Sequence, residues 1–150
     1  MRYLLVIALL MVAAPVMAVD VTEEYDEFTG VTSRSFMLER VGDEIMTWTA
    51  IYEEGDGVMI LGVGADDYFR PATLYLLIDG ERRAVERVHR EFDREGSMNI
   101  DIALFFVDVD VYREIADADE VRYRLSGSWS IEGELTDAER AAFGELLDNT

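Results

Sequence analysis

The chain has 150 residues, with 32 acids against 13 arginines, no lysine and a formal net charge of −19. That balance repels phosphate backbones and anionic lipid, so nucleic acid and acidic membranes are poor partners. There is no cysteine, which excludes disulfides, thiol nucleophiles, cysteine-ligated zinc and an N-terminal lipid-modified cysteine, and leaves the fold to its apolar core.

The chain opens MRYLLVIALLMVAAPVMAVD. Arg2 precedes an apolar run, and Val16-Met17-Ala18 fits the small-x-small rule of signal peptidase, so residues 1–18 read as a signal peptide cleaved after Ala18. An uncleaved anchor is the rival, since Tyr3 to Val19 is uncharged, but such a run is at the lower edge of a membrane span. Export to the periplasm or extracellular space is therefore expected. No later segment is apolar for long enough to cross a bilayer. Without Arg2 the remaining chain carries all 32 acids against 12 arginines, a net of −20. Dense acid with no lysine points to adaptation to high salt; a surface that binds cations or a basic partner is the rival. The acids are spread along the chain rather than clustered, which favours a solvated surface.

Residues 19–150 are predicted to form one β-rich domain, long enough to bury a core. Asp20 to Glu27 is acidic and reads as a flexible lead-in. Val31 to Glu39 has the alternation of a strand with neither face cleanly apolar, as at a sheet edge. Glu44 to Tyr52 is a stronger strand, with Met46, Trp48, Ala50 and Tyr52 on one face. Glu53 to Gly57 turns the chain into an antiparallel return over Val58 to Val63. Ala65 to Pro71 is a loop in which Pro71 should hold Arg70 extended.

Ala72 to Ile78 meets Asp79-Gly80, a strong two-residue hairpin signal, and Glu81 to Val88 returns. His89 to Gly96 reads as a charged connection. Ser97 to Val107 is the most apolar strand, with Met98, Ile100, Ile102, Leu104 and Phe106 on one face. Asn99 and Asp101 begin the other, which Phe105 and Val107 finish. The period then changes. Asp108 to Ala118 reads as a helix with Asp108 as N-cap and Val109, Tyr112, Ile115 and Ala116 on its buried side.

Val121, Tyr123 and Leu125 alternate with Arg122 and Arg124, and Trp129 and Ile131 alternate with Ser130 and Glu132. A three-residue loop at Ser126-Gly127-Ser128 keeps both faces consistent. It pairs Leu125 with Trp129, Tyr123 with Ile131 and Arg122 with Glu132, with Gly127 left-handed. Thr136-Asp137-Ala138-Glu139 is a capping box opening a closing helix with Ala142, Phe143, Leu146 and Leu147 buried. The fold class expected is mainly β: an antiparallel sandwich-like or curved sheet of about eight strands, a short helix before the last hairpin and a C-terminal amphipathic helix.

Ala118, Val121, Gly127, Leu135, Thr136 and Glu139 punctuate this C-terminal unit, with Tyr25 to Ser33 and Asp79-Gly80-Glu81-Arg82 as earlier motifs. In these residues the chain resembles a family of small exported bacterial β-rich domains of unknown function. The resemblance spans about half of the mature chain and implies a β-rich fold with accessory helices. It implies no activity and no catalytic residues.

Candidate chemistry is sparse. His89, the one histidine, has Arg87, Arg90 and Glu91 around it and reads as a solvated residue rather than a general base. Serines 33, 35, 97, 126, 128 and 130 lie in strands or turns, outside any Gly-x-Ser-x-Gly elbow. Calcium would take carboxylates, yet Asp108 and Asp110 are explained by helix capping, and Glu53-Glu54-Gly55-Asp56 and Asp66-Asp67 by polar turns. Trp48 and Trp129 could stack on a sugar, but their alternating apolar surroundings place them in the core. No catalytic, cofactor-binding or metal-ligating residue is assigned. The expected function is a non-catalytic binding or structural module, with a protein or an envelope component as partner. The alternative is a calcium-binding or small hydrolytic domain.

Overall fold

A computed structural model describes residues 19–148. The predicted signal segment, residues 1–18, lies outside the described residues. Nine strands and two helices follow in order: β1 (Thr22–Asp26), β2 (Val31–Val41), β3 (Ile45–Glu53), β4 (Asp56–Ala65), β5 (Thr73–Ile78), β6 (Glu81–Glu95), β7 (Met98–Val107), α1 (Val109–Asp117), β8 (Val121–Ser126), β9 (Ser130–Glu134) and α2 (Asp137–Leu147). The strands form one curled antiparallel sheet in the order β1-β2-β3-β4-β7-β6-β5-β8-β9. The mainly β class, the curved sheet and both helices are as the sequence predicts.

β6 is the spine of the curl. Glu81 to Glu86 pair with β5, and Arg87 to Glu95 pair with β7, with a bulge between Arg87 and His89 where the strand changes partner. A bulge of this kind sharpens the local twist. It turns one half of the sheet over the other, so that Trp48 on β3 meets Tyr123 on β8 edge to face at 5.2 Å. Between the two halves lies the core, closed by α2, whose Phe143 packs on Phe36, Trp48 and Tyr112. Tyr112 of α1 points its hydroxyl at the carbonyls of Val58, 2.8 Å away, and Ile51, 3.1 Å away. Gly57 leaves room for that ring, since a Cβ there would come within 3.1 Å of it.

Local chemistry sets the turns and caps. Glu54-Gly55 and Asp79-Gly80 each take positive φ at both residues, as primed two-residue hairpins require. Asp108 caps α1 by accepting the Asp110 N–H at 2.9 Å. The α2 capping box is complete, with Thr136 accepting from the Glu139 N–H and Glu139 accepting from the Thr136 N–H.

Several expectations are corrected. The lead-in contains β1, paired with β2 and exposed along its length, so β2 is not an edge. A strand with no buried face has no period-two signature to read. The charged connection at His89 is the second half of β6 for the same reason. Arg70 is not extended; its φ is +53, and its N–H donates to Asp101.

In β7 the inward residues are Asp101, Ala103, Phe105 and Val107, and the more apolar series from Met98 to Phe106 faces out. Neighbouring register decides this, because the buried Met59, Leu61 and Val63 of β4 stand opposite Phe105, Ala103 and Asp101. The last hairpin keeps its parity but slides by two residues, pairing Leu125 with Ile131, Tyr123 with Gly133 and Arg122 with Glu134. Its loop is Gly127-Ser128-Trp129, and Tyr123 selects that register by lying across Gly133, where a Cβ would come within 2.3 Å of its hydroxyl. Gly127 is absent from the positive-φ residues. It is needed for close approach instead, because a Cβ there would lie 2.3 Å from the Phe69 carbonyl oxygen.

Candidate binding surface

The residues with chemical potential are dispersed. His89 stands on exposed β6 with its Nε2 3.3 Å from Glu91. Ser33 and Ser35 lie on β2, Ser97 in the β6–β7 turn, and Ser126, Ser128 and Ser130 at the last hairpin. Among the described residues no group of three or more His, Asp or Glu side chains is placed to hold a metal ion. Asp108 serves α1, and Glu53 and Asp56 close the β3–β4 hairpin. Trp48 is buried. Trp129 is half-buried against Phe69 and donates its indole N–H to Glu44 at 2.8 Å.

Among the described residues two carboxylates are buried, and each is committed to the fold. Glu139 accepts from the Arg40 guanidinium at 2.5 Å and from the Thr136 N–H. Burial alone would raise its pKa, but Arg40 and Thr136 together hold it below the usual carboxylate range. Asp101 is fully buried. It accepts from Arg90 Nε at 2.6 Å and from the Arg70 N–H at 3.2 Å. A lone acid inside the most apolar strand was the sequence signal for this pair, but it named no partner.

The main surface feature is the outer side of β2, β3, β4 and β7. Directly opposed residues share a face in antiparallel pairing, so register assembles it in rows. Phe106, Val58 and Ile51 form one row; Leu104, Ile60, Thr49 and Met37 the next. Ile102, Gly62, Thr47 and Glu39 follow, then Ile100, Gly64, Ile45 and Val41. Phe106 is 65% exposed, Met37 62% and Val41 72%. In a chain of net charge −19, this field holds a single charged side chain, Glu39.

Its borders are acidic. On β6, Glu91 pairs with Ile102, Asp93 with Ile100 and Glu95 with Met98, so these acids stand beside the apolar rows on the same face. Glu53 and Asp56 pair across the far end, where Glu24 of β1 joins them beside Ser33. Among the described residues no arginine occupies an outward position on β1, β2, β3, β4 or β7, since the two on β2, Arg34 and Arg40, lie opposite Tyr52 and Met46 on the inward side. The outer side of the other half differs. There Arg82 lies over the Tyr75 ring at 4.7 Å, and Arg122 and Arg124 bond Glu120 and Glu132 beside a shallow cleft of about 710 Å³.

No protein-family model, curated protein or solved structure matches this chain. No helix of the described residues is long and apolar enough to cross a membrane.

Proposed function

We propose that this chain is an exported, non-catalytic binding module of the cell envelope or extracellular space. Its partner is a protein, bound through the outer face of β2, β3, β4 and β7. One observation carries the reading: large aliphatic and aromatic side chains such as Met37, Ile102 and Phe106 stand in water on adjacent strands, with their own fold's core complete on the other side of the sheet. Contiguous exposed apolar fields of this size mark interaction sites. The N-terminal sequence and the resemblance to small exported bacterial domains support export. The abundant acids, absent lysine and this partition of charge support a solvated, salt-tolerant surface around the site.

A photo-crosslinking residue at Phe106, compared with one at Leu77 on the opposite outer side, tests the binding face in the native exported fraction. A discrete adduct from position 106 alone, lost when Met37 and Ile102 are changed to Ser, is expected. Equal adducts from both positions, or none from 106, overturn the face. N-terminal sequencing of the exported chain tests cleavage, with Val19 expected as its first residue.

A further inference from the structure

The geometry points to a partner of particular chemistry: a polypeptide surface with an apolar centre and arginine or lysine flanks. This rests on the binding face proposed above and adds the charge of what covers it. Size comes first. Four strands about 4.8 Å apart, each crossing the field over about seven residues and turning about four of them outward, give an apolar field of roughly 400 Å². A stable protein interface covers about 800 Å² on each partner, so about half of any lasting contact must fall on the rim.

The rim is acidic on the β6 side through Glu91, Asp93 and Glu95, and acidic at the far end through Glu53 and Asp56. These are exposed side chains, and among the described residues no arginine shares their side of the second half of β6, since Arg90 and Arg94 pair with Ala103 and Asn99 on the other side. A second copy of the chain laid face to face on this surface would set acids against acids, an arrangement that disfavours association. An anionic membrane meets the same repulsion. Cations flanking an apolar stripe meet none, and would gain both burial of Phe106, Ile102 and Met37 and pairing along β6.

The test uses two synthetic amphipathic peptides with the same leucine face, one flanked by arginine and the other by glutamate. Binding is read by fluorescence anisotropy, with circular dichroism confirming the fold of every variant. The arginine peptide should bind, and Phe106→Ser with Ile102→Ser should weaken it about tenfold or more. Neutralising Glu91, Asp93 and Glu95 to their amides should weaken it about tenfold as well. Neutralising Asp117, Asp119 and Glu120, away from that face, should leave it unchanged, which separates a built rim from general attraction to an acidic protein. If the glutamate peptide binds equally and the serine changes abolish both, the face stands and the charge inference falls. If the serine changes leave arginine-peptide binding intact, or neither peptide binds, the face itself falls. A dimer in sedimentation that the serine changes dissolve would make a second copy the occupant and overturn the proposal.

Discussion

Asp101 in β7, fully buried, and Arg90 on β6, half-buried, form an ion pair that ties the spine strand to the loop between β4 and β5. Asp101 is 0% exposed and takes the Arg90 Nε–H at 2.6 Å, while its second oxygen takes the N–H of Arg70 at 3.2 Å. Arg70 is held at a φ of +53 immediately before Pro71, a position that disfavours most residues. The carboxylate therefore pins a strained loop. Phe69, one residue earlier, anchors the last hairpin through its carbonyl, which accepts the Ser128 N–H at 2.6 Å.

Arg90→Met leaves that carboxylate buried without its cation and should cost about 3 kcal/mol, read as a lowered urea midpoint. Arg90→Met with Asp101→Leu removes both charges and should recover most of the loss. A double variant no more stable than the single one would show that the pair is not the source of the cost.

The outward and inward series of β7 can be told apart by substitution. Phe105 is fully buried and Phe106 65% exposed. Phe105→Ala should cost about 3–5 kcal/mol, whereas Phe106→Ser should stay within about 0.5 kcal/mol. Thermal or urea denaturation of the two variants decides it, and a reversed order would mean that the strand presents the opposite face.

Glu139 gives the fold a pH-dependent component of known sign. Burial opposes its charge, but Arg40 and the Thr136 N–H hold its folded pKa below the ordinary value of 4.5. A depressed carboxyl pKa adds stability above the unfolded-state value, and that stability is lost as pH falls through the folded value. Glu139→Gln should therefore destabilise the chain by about 1–3 kcal/mol near pH 7, and the gap between variant and parent should narrow as the pH falls below the ordinary carboxyl value of 4.5. A gap that is constant from pH 7 to pH 3 would assign the effect to packing instead.

Two glycines of the last hairpin are required by space rather than by φ. A Cβ at Gly127 would meet the Phe69 carbonyl oxygen at 2.3 Å, and one at Gly133 would meet the Tyr123 ring and hydroxyl at 2.3–2.9 Å. Tyr123 cannot swing freely, being packed edge to face on Trp48. Gly127→Ala should cost about 2 kcal/mol or more, since backbone must move. Gly133→Ala should cost about 1–3 kcal/mol through a displaced ring. Melting temperatures of both variants at or above the parent's would refute the close approaches.

The residues themselves determined the parts governed by near neighbours. Turn chemistry placed the Glu53–Gly57 turn and Asp79-Gly80, capping chemistry placed Asp108 and the Thr136–Glu139 box, and alternation put Met46, Trp48, Ala50 and Tyr52 on one face. Pattern cannot choose when both sides of a strand are apolar or when neither is. β7 was apolar on both sides, so its inward face was decided by register against Met59, Leu61 and Val63. β1 and the second half of β6 had no apolar side, and became strands because β2 and β7 offer hydrogen-bond partners. The slide of the last hairpin likewise came from a contact across the fold, Tyr123 seated on Gly133. The binding face belongs to this second class. Its members come from four strands spread between Met37 and Phe106, each ordinary in its own stretch, and only the order of strands in the curled sheet brings them together with the acids of β6 alongside.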